Sequence, residues 1–389
     1  VLHALAIENY RSCKELVIPL GRLTLVTGPN GVGKSNVYRA LRLLADVARG
    51  ESIASLAREG GLNSVRWAGP EEISRRMKIG EVPVEGTVRK RAVAVRVGFV
   101  SDELGYAVDF GLPIPSGSAF GLDPEIKREA IWYGDTWTER RTLVSRRRNV
   151  VRARDGSGAW TLVTDQADPR ESLLSAVADA RHTPEAYAAR EIVRSWRFYD
   201  QFRTDRDAPA RTRSVGTYTA SLAHDGRDLA SALQTIMEVG DAEALAEAVD
   251  DAFPGASAEV TSDGSRFGVQ WRQPGLLRAL DETELSDGTL RYLLWIAALF
   301  TPRPPSLIVL NEPETSLHPD LLLPFARLIA GAAERTQVWV VSHAPPLIEA
   351  LRATSGCCAY ELHRELGATQ LRSAGLDEVP HWAWSWPKR

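Results

Sequence analysis

The stretch "GPNGVGKS", Gly28 to Ser35, decides the reading of this 389-residue chain. It fits the pattern GxxxxGK[ST] in full, and each residue type in it has a physical task. Glycines let successive backbone N–H groups curl around phosphate oxygens, Lys34 reaches the β and γ phosphates, and the Ser35 hydroxyl ligates magnesium. A chain of this length produces such a match by accident on the order of one per cent of the time. The flanks agree. Ahead lies the apolar run "LVIPLGRLTLVTG"; behind, "KSNVYRALRLLADVARG" puts Val37, Ala40, Leu41, Leu44 and Val47 at helical spacing, with Gly50 as a stop. Strand, phosphate loop and helix follow in that order, which a glycine turn that merely caps a helix does not require.

Outward from this stretch, "LHALAIENY" reads as a further strand, and Gly61 to Pro169 alternates in the manner of antiparallel strands, as in "VRKRAVAVRVGFV" and "YAVDFGL". "ESLLSAVADARHTPEAYAAREIVRSWRFY" and "DLASALQTIMEVGDAEALAEAVDDAF" read as helical, joined by a polar linker near Arg203 to Arg213. Neither holds heptads long enough for a coiled-coil arm. The last third alternates helix and strand: "DGTLRYLLWIAALF", "SLIVL", "PDLLLPFARLIAGAAE", "QVWVVS", "PPLIEALRA". Such alternation predicts a mainly parallel sheet with helices packed on it. The expected divisions are an N-terminal part with the phosphate loop over 1–60, an inserted β-rich lobe over 61–170, a helical lobe and linker over 171–284, and the C-terminal part of the phosphate-loop domain over 285–389.

Composition sets limits. A hydrophobic fraction of 44% and a charged fraction of 25% are ordinary globular values. The 47 basic residues against 50 acidic ones, net −3, exclude a wholesale polybasic binder but leave room for a local basic groove. Cys13, Cys357 and Cys358 have no CxxC or Cys/His ligand spacing, so neither a disulfide framework nor a zinc site is expected. No apolar run approaches the roughly 20 residues of a membrane span, and "VLHALAIENYRS" lacks a signal peptide's features. A soluble cytoplasmic protein is expected.

Three further stretches follow the phosphate loop in a fixed order: "ELSDGTLR" (Glu284 to Arg291), "LIVLNEPETSLHP" (Leu307 to Pro319) and "VVSHAPP" ending its strand at His343. With "NYRS" near the start, this order resembles the ABC-type ATPases of the RecF/SMC class, and in particular bacterial ATPases with the ATP-binding domain of the OLD (overcoming lysogenization defect) family, without a TOPRIM domain. The likeness spans nearly the whole chain. It implies an α/β P-loop fold, an ABC-type ATPase head of RecF-like kind, with an inserted antiparallel β lobe, a helical signature lobe and no coiled-coil arm.

The resemblance also implies roles. ATP and Mg2+ are the expected ligands. Asn30, Gly31, Val32, Gly33, Lys34, Ser35 and Asn36 would cradle the phosphates, Arg11 would approach the nucleotide with its neighbours Asn9 and Ser12, and Ser35 and Asn311 would face the metal. Glu312 would be the general base, and His343 would sense or stabilise the γ-phosphate as charge shifts. Ser286 and the Gly288 backbone would reach the γ-phosphate held by a second copy, so the chain would dimerise on binding ATP, with "TSLH" (Thr315 to His318) lining the interface. His318 reads as structural. Gln201 is a candidate for the glutamine of the magnesium-contacting loop, set against an ordinary surface residue.

One letter departs from the pattern: Asn311 stands where the class carries Asp. Asn keeps an acceptor oxygen and loses the charge, and replacing such an outer partner in a metal site typically costs 10 to 100-fold. A slow but competent ATPase is the expectation, with an ATP-binding scaffold that does not hydrolyse as the rival.

Arginines cluster in "ERRTLVSRRRNVVRARD", Glu139 to Asp155. They read either as a solvated strand face or as a groove for duplex DNA. The other expected partner is a separate effector protein, in repair, phage defence or stress response, since little chain follows His343 to hold a nuclease of its own. No membrane partner is expected; a transporter ATPase fits the SDG signature and inserted lobe poorly. The tail "HWAWSWPKR" sets Trp382, Trp384 and Trp386 on one side of an extended strand, docked on the domain or, alternatively, stacking on nucleic acid.

Overall fold

A computed structural model describes residues 1–83, 85, 87 and 94–373. The tryptophan tail lies outside the described residues. The chain divides into two units, one of Val1–Gly21, Thr27–Ser195 and Tyr360 onward, the other of Arg22–Val26 and Trp196–Ala359.

The first unit is built on an eight-stranded antiparallel sheet in the order Cys13–Pro19, Leu2–Tyr10, Val95–Ser101, Gly105–Gly111, Glu125–Trp132, Thr142–Arg147, Val150–Arg154, Trp160–Thr164. The alternating segments of the β-rich stretch thus share a sheet with the N-terminal hairpin. The central strand Gly105–Gly111 is buried along its whole length, whereas the edge strand Trp160–Thr164 is largely exposed. The 16-residue helix Lys34–Arg49 packs on the helices Leu173–Ala176 and Pro184–Ser195. Between sheet and helices a buried charge is fully served. Glu129 takes an ion pair from Arg146 at 3.0 Å, the Tyr106 hydroxyl at 2.6 Å and the Leu173 backbone N–H at 2.9 Å. A buried carboxylate is tolerated only with such company.

The second unit holds four parallel strands in the order Arg197–Tyr199, Leu307–Asn311, Gln337–Val341, Leu23–Thr27. Helix Asp287–Leu299 is buried on every side from Leu290 to Leu299, as expected of a helix apolar all round. Its Trp295 meets Phe202 at 4.8 Å and Phe325 at 5.5 Å between ring centroids. A hairpin, Ser257–Asp263 with Arg266–Arg272, forms a separate antiparallel sheet.

Two readings are corrected. The run "LVIPLGRLTLVTG" is two strands, not one: Cys13–Pro19 pairs antiparallel in the first unit, and Leu23–Thr27 pairs parallel with Val338–Val341. The helical reading through "RSWRFY" ends at Ser195, and Arg197–Tyr199 is a strand in register with Ile308–Leu310. Among the described residues no helix is long and apolar enough to cross a membrane.

Candidate functional site

The phosphate loop lies in the first unit. Gly28, Gly31 and Gly33 have φ of 142°, 80° and 111°, a region that side chains with a Cβ rarely adopt. Space also requires glycine at two of these positions. A Cβ at Gly28 would lie 2.5 Å from the Leu362 carbonyl oxygen, and one at Gly33 would overlap the hydroxyls of Thr369 and Ser12. Gly33 caps the helix Lys34–Arg49, which has no side-chain cap and no acidic residue in its first turn. Its leading N–H groups are therefore left for an anion. Lys34 is 5% exposed, and its ammonium donates to the carbonyls of Gly28 at 2.6 Å and Pro29 at 3.2 Å. The side chain thus folds over its own loop. Asn30, Gly31 and Ser35 are exposed and Val32 is buried. Asn36 Nδ2 donates to Ser12 Oγ at 2.7 Å.

Arg11 sits beside the loop's neighbour Ser12 with φ 50°. Its guanidinium is held by Glu59 at 2.7 Å, and the same carboxylate accepts from the Tyr10 hydroxyl at 2.8 Å.

The second unit holds the acidic strand end and the strand-end histidine. Strand Leu307–Asn311 is buried up to Asn311, whose Oδ1 is buried and without a hydrogen-bond partner among the described residues. Glu312 follows with φ 50°, and its N–H donates to the Val341 carbonyl at 2.8 Å. A non-glycine residue in this region is strained, and such strain collects at functional sites. The Glu312 carboxylate is 39% exposed and 3.9 Å from Nδ1 of His343. Glu314 approaches the same ring nitrogen, at 3.4 Å, and is 5% exposed. Its Oε1 accepts from the Ser342 hydroxyl at 2.7 Å and from the backbone N–H groups of His343 at 2.9 Å and Ala344 at 3.2 Å. Sequence reasoning passed over Glu314, although a second carboxylate two residues beyond the candidate base was the visible signal. His318 accepts from Asp320 N at 3.3 Å and caps a short 3-10 turn. Gln201 is exposed.

The signature stretch also belongs to the second unit. Ser286 caps the helix Asp287–Leu299, its Oγ accepting from Thr289 N at 3.1 Å. Beside Gly288 there is open space: an added Cβ would meet nothing nearer than 3.9 Å. The stretch is held from behind by Arg211, which lies in the segment read as a linker. Arg211 donates to the Leu285 carbonyl at 2.8 Å and to Asp287 Oδ1 at 2.7 Å. Arg291 ties the same helix to the Thr315 carbonyl at 2.9 Å and to Thr204 Oγ1 at 3.0 Å.

Within the arginine cluster, Arg146 is buried on Glu129, and Arg154 lies over the Trp160 ring at 4.5 Å. Arg140, Arg141, Arg147, Arg148 and Arg152 are exposed.

Residues 23–349 match the family described as "AAA domain, putative AbiEii toxin, Type IV TA system". A curated relative, the OLD nuclease of Thermus scotoductus, is 44% identical over 48 residues, 12% of this chain and 9% of the nuclease. The chain therefore aligns with only a small part of that relative's length. Among solved structures, an Smc head bound to the C-terminal winged-helix domain of ScpA shares the fold with a TM-score of 0.51 at 13% identity, covering 97% of this chain and 98% of that one. An SMC head domain from Thermotoga maritima is similar at 16% identity with a TM-score of 0.45, covering 96% and 99%.

Proposed function

The chain belongs to this AAA domain family, and from that premise we propose that it is a slow magnesium-dependent ATP hydrolase that acts as an ATP-bound homodimer. The fold is that of a P-loop ATPase head of the SMC type, with similarity to OLD proteins. The observation that carries the proposal is the phosphate loop: three left-handed glycines ahead of a 16-residue helix with an uncapped N-terminus. Its N–H groups suit phosphate oxygens.

The residues divide the work. Lys34 leaves its loop carbonyls to neutralise the β and γ phosphates. The backbone from Asn30 to Asn36 holds the phosphate chain, and Arg11 adjoins Ser12, which accepts from Asn36. Glu312 orients the attacking water and takes its proton, and His343 offsets charge developing on the γ-phosphoryl group. Oxygen donors suit a hard cation, so the Ser35 hydroxyl and the unpartnered Asn311 Oδ1 would hold magnesium, which polarises the phosphates when bound. Ser286 and the Gly288 N–H, at the start of the helix Asp287–Leu299, contact the γ-phosphate held by a second copy.

Asn311 supports a second reading, an ATP-binding scaffold without turnover that regulates a partner effector. The carboxylate of Glu312 favours hydrolysis, since it is the separate group that would act as base. The exposed arginines at 140, 141, 147, 148 and 152 support duplex DNA as a partner. Free thiols at Cys13, Cys357 and Cys358 suit the reducing cytoplasm.

Mixing two inactive variants tests the shared sites. Lys34→Ala and Ser286→Arg are each expected to be inactive alone, and their mixture to regain part of the turnover, because each mixed dimer keeps one intact pair of Lys34 and Ser286. No recovery, with both variants folded and able to associate, would contradict the composite arrangement.

A further inference from the structure

Thr369 lies on the strand Ala368–Ser373, outside every motif that points to nucleotide chemistry. It is fully buried, and its Oγ1 donates to the Val32 carbonyl of the phosphate loop at 2.7 Å. It also lies 2.6 Å from Ser12 Oγ, which in turn accepts from Asn36 Nδ2 at 2.7 Å. The Thr369 N–H donates to the Ser12 carbonyl at 2.8 Å, so the two residues are fixed against each other by backbone as well as side chain.

Each hydroxyl has one proton to give. Thr369 spends its own on the Val32 carbonyl, which has none to offer in return. The Ser12 hydroxyl must then donate to Thr369, and Asn36 to Ser12. The four groups form a one-way chain: Asn36 amide to Ser12, Ser12 to Thr369, Thr369 to Val32. Bonds aligned in this sense reinforce one another in a buried setting.

The end of that chain falls on the peptide that matters. Val32 C=O and Gly33 N–H belong to one planar trans peptide and point in opposite directions. Holding the carbonyl toward Thr369 turns the Gly33 N–H the other way, away from Thr369. The loop's left-handed glycines have little conformational preference of their own, so an external anchor decides the orientation.

We propose that Thr369, through Ser12 and Asn36, is a positioning residue for ATP: it pre-sets the Gly33 N–H as a phosphate donor before nucleotide arrives. Ser12 and Asn36 act here by orienting the loop. The proposal rests on the ATP-binding reading above and adds a specific source of affinity to it.

The test is titration of the full chain with a fluorescent ATP analogue and magnesium, for wild type, Thr369→Val, Thr369→Ser and Ser12→Ala, together with KM and kcat. Thr369→Val keeps the shape and removes the hydroxyl; it is expected to weaken binding and raise KM about tenfold with kcat within about twofold, as loss of one pre-oriented charge-assisted donor implies. Thr369→Ser is expected to bind within about twofold of wild type. Ser12→Ala leaves the bond to Val32 and is expected to fall between them. Should Thr369→Val not fold, Ser12→Ala and Thr369→Ser alone decide: wild-type affinity in Ser12→Ala, or a loss in Thr369→Ser, overturns the proposal. Thr369→Val binding as tightly as wild type also overturns it. Wild type that binds no ATP would instead remove the ATP-binding reading itself, and this proposal with it.

Discussion

Glu314 accepts a 2.7 Å hydrogen bond from the hydroxyl of Ser342, joining the turn after one parallel strand to the residue that follows the next. The same oxygen takes the N–H groups of His343 and Ala344. Three donors on one buried carboxylate oxygen make Glu314 the fastener of the histidine loop, while Glu312, half-exposed nearby, takes none of these bonds.

Glu314→Ala takes the acceptor from the buried Ser342 hydroxyl and the His343 N–H, and leaves the Ala344 N–H only Ser342 Oγ at 3.2 Å. The expected cost is about 2–4 kcal/mol, with a fall of several degrees in Tm and loss of turnover. Glu314→Gln keeps an acceptor oxygen and loses less than about half as much. Thermal denaturation of the two variants separates them, and equal losses would contradict the account of the three donors.

Gly33→Ala meets two obstacles at once: φ of 111° and the hydroxyls of Thr369 and Ser12 where its Cβ must go. It is expected to destabilise the first unit by about 2–3 kcal/mol and to abolish ATP binding. Gly31→Ala, with open space around its Cβ, bears the strain of φ 80° alone and is expected to be milder in denaturant titrations.

Asn311→Asp restores a charge beside an oxygen that is buried and unpartnered in the described residues. Half-saturating magnesium is expected to fall about 10 to 100-fold, with turnover unchanged or faster. A magnesium titration of ATPase rate checks this; an unchanged requirement would mean that Asn311 does not face the metal.

Duplex DNA binding, if carried by the exposed arginines, weakens as salt rises. Arg147→Glu with Arg152→Glu is expected to lower affinity at least tenfold and the salt slope by about 2. Arg146 is not part of that surface. Arg146→Ala leaves Glu129 buried and unpaired, at a cost of about 3–5 kcal/mol, and is expected to unfold the sheet rather than retune DNA affinity. Fluorescence anisotropy with a labelled duplex, at several salt concentrations, reads both effects.

What was legible in the chain was local. The glycines of "GPNGVGKS" announce positive φ because other residues rarely accept it, and "SLIVL" and "QVWVVS" announce buried strands by length and branching. What was hidden depends on partners far off in sequence. Arg197–Tyr199 is a strand only because Ile308–Leu310 lies beside it; three residues after a helical pattern carry no signal of their own. Thr369 reaches Ser12 across 357 positions, and no spacing rule records such a bond. Arg211 looked like linker because it is charged and flanked by polar residues, yet it is 9% exposed and holds the signature stretch through backbone carbonyls. The hairpin Ser257–Arg272 lay between two helical zones, and its exposed alternation was too weak to separate from loop.

In the proposed reaction Glu312 drives hydrolysis although Asn311 replaces the usual carboxylate before it. Steady-state ATP turnover at saturating magnesium, wild type against Glu312→Gln, tests it most directly, with ATP binding measured on both. The prediction is slow turnover in wild type and a loss of at least about 100-fold in Glu312→Gln with ATP binding intact. Wild type no faster than Glu312→Gln would contradict it and leave an ATP-binding scaffold in its place.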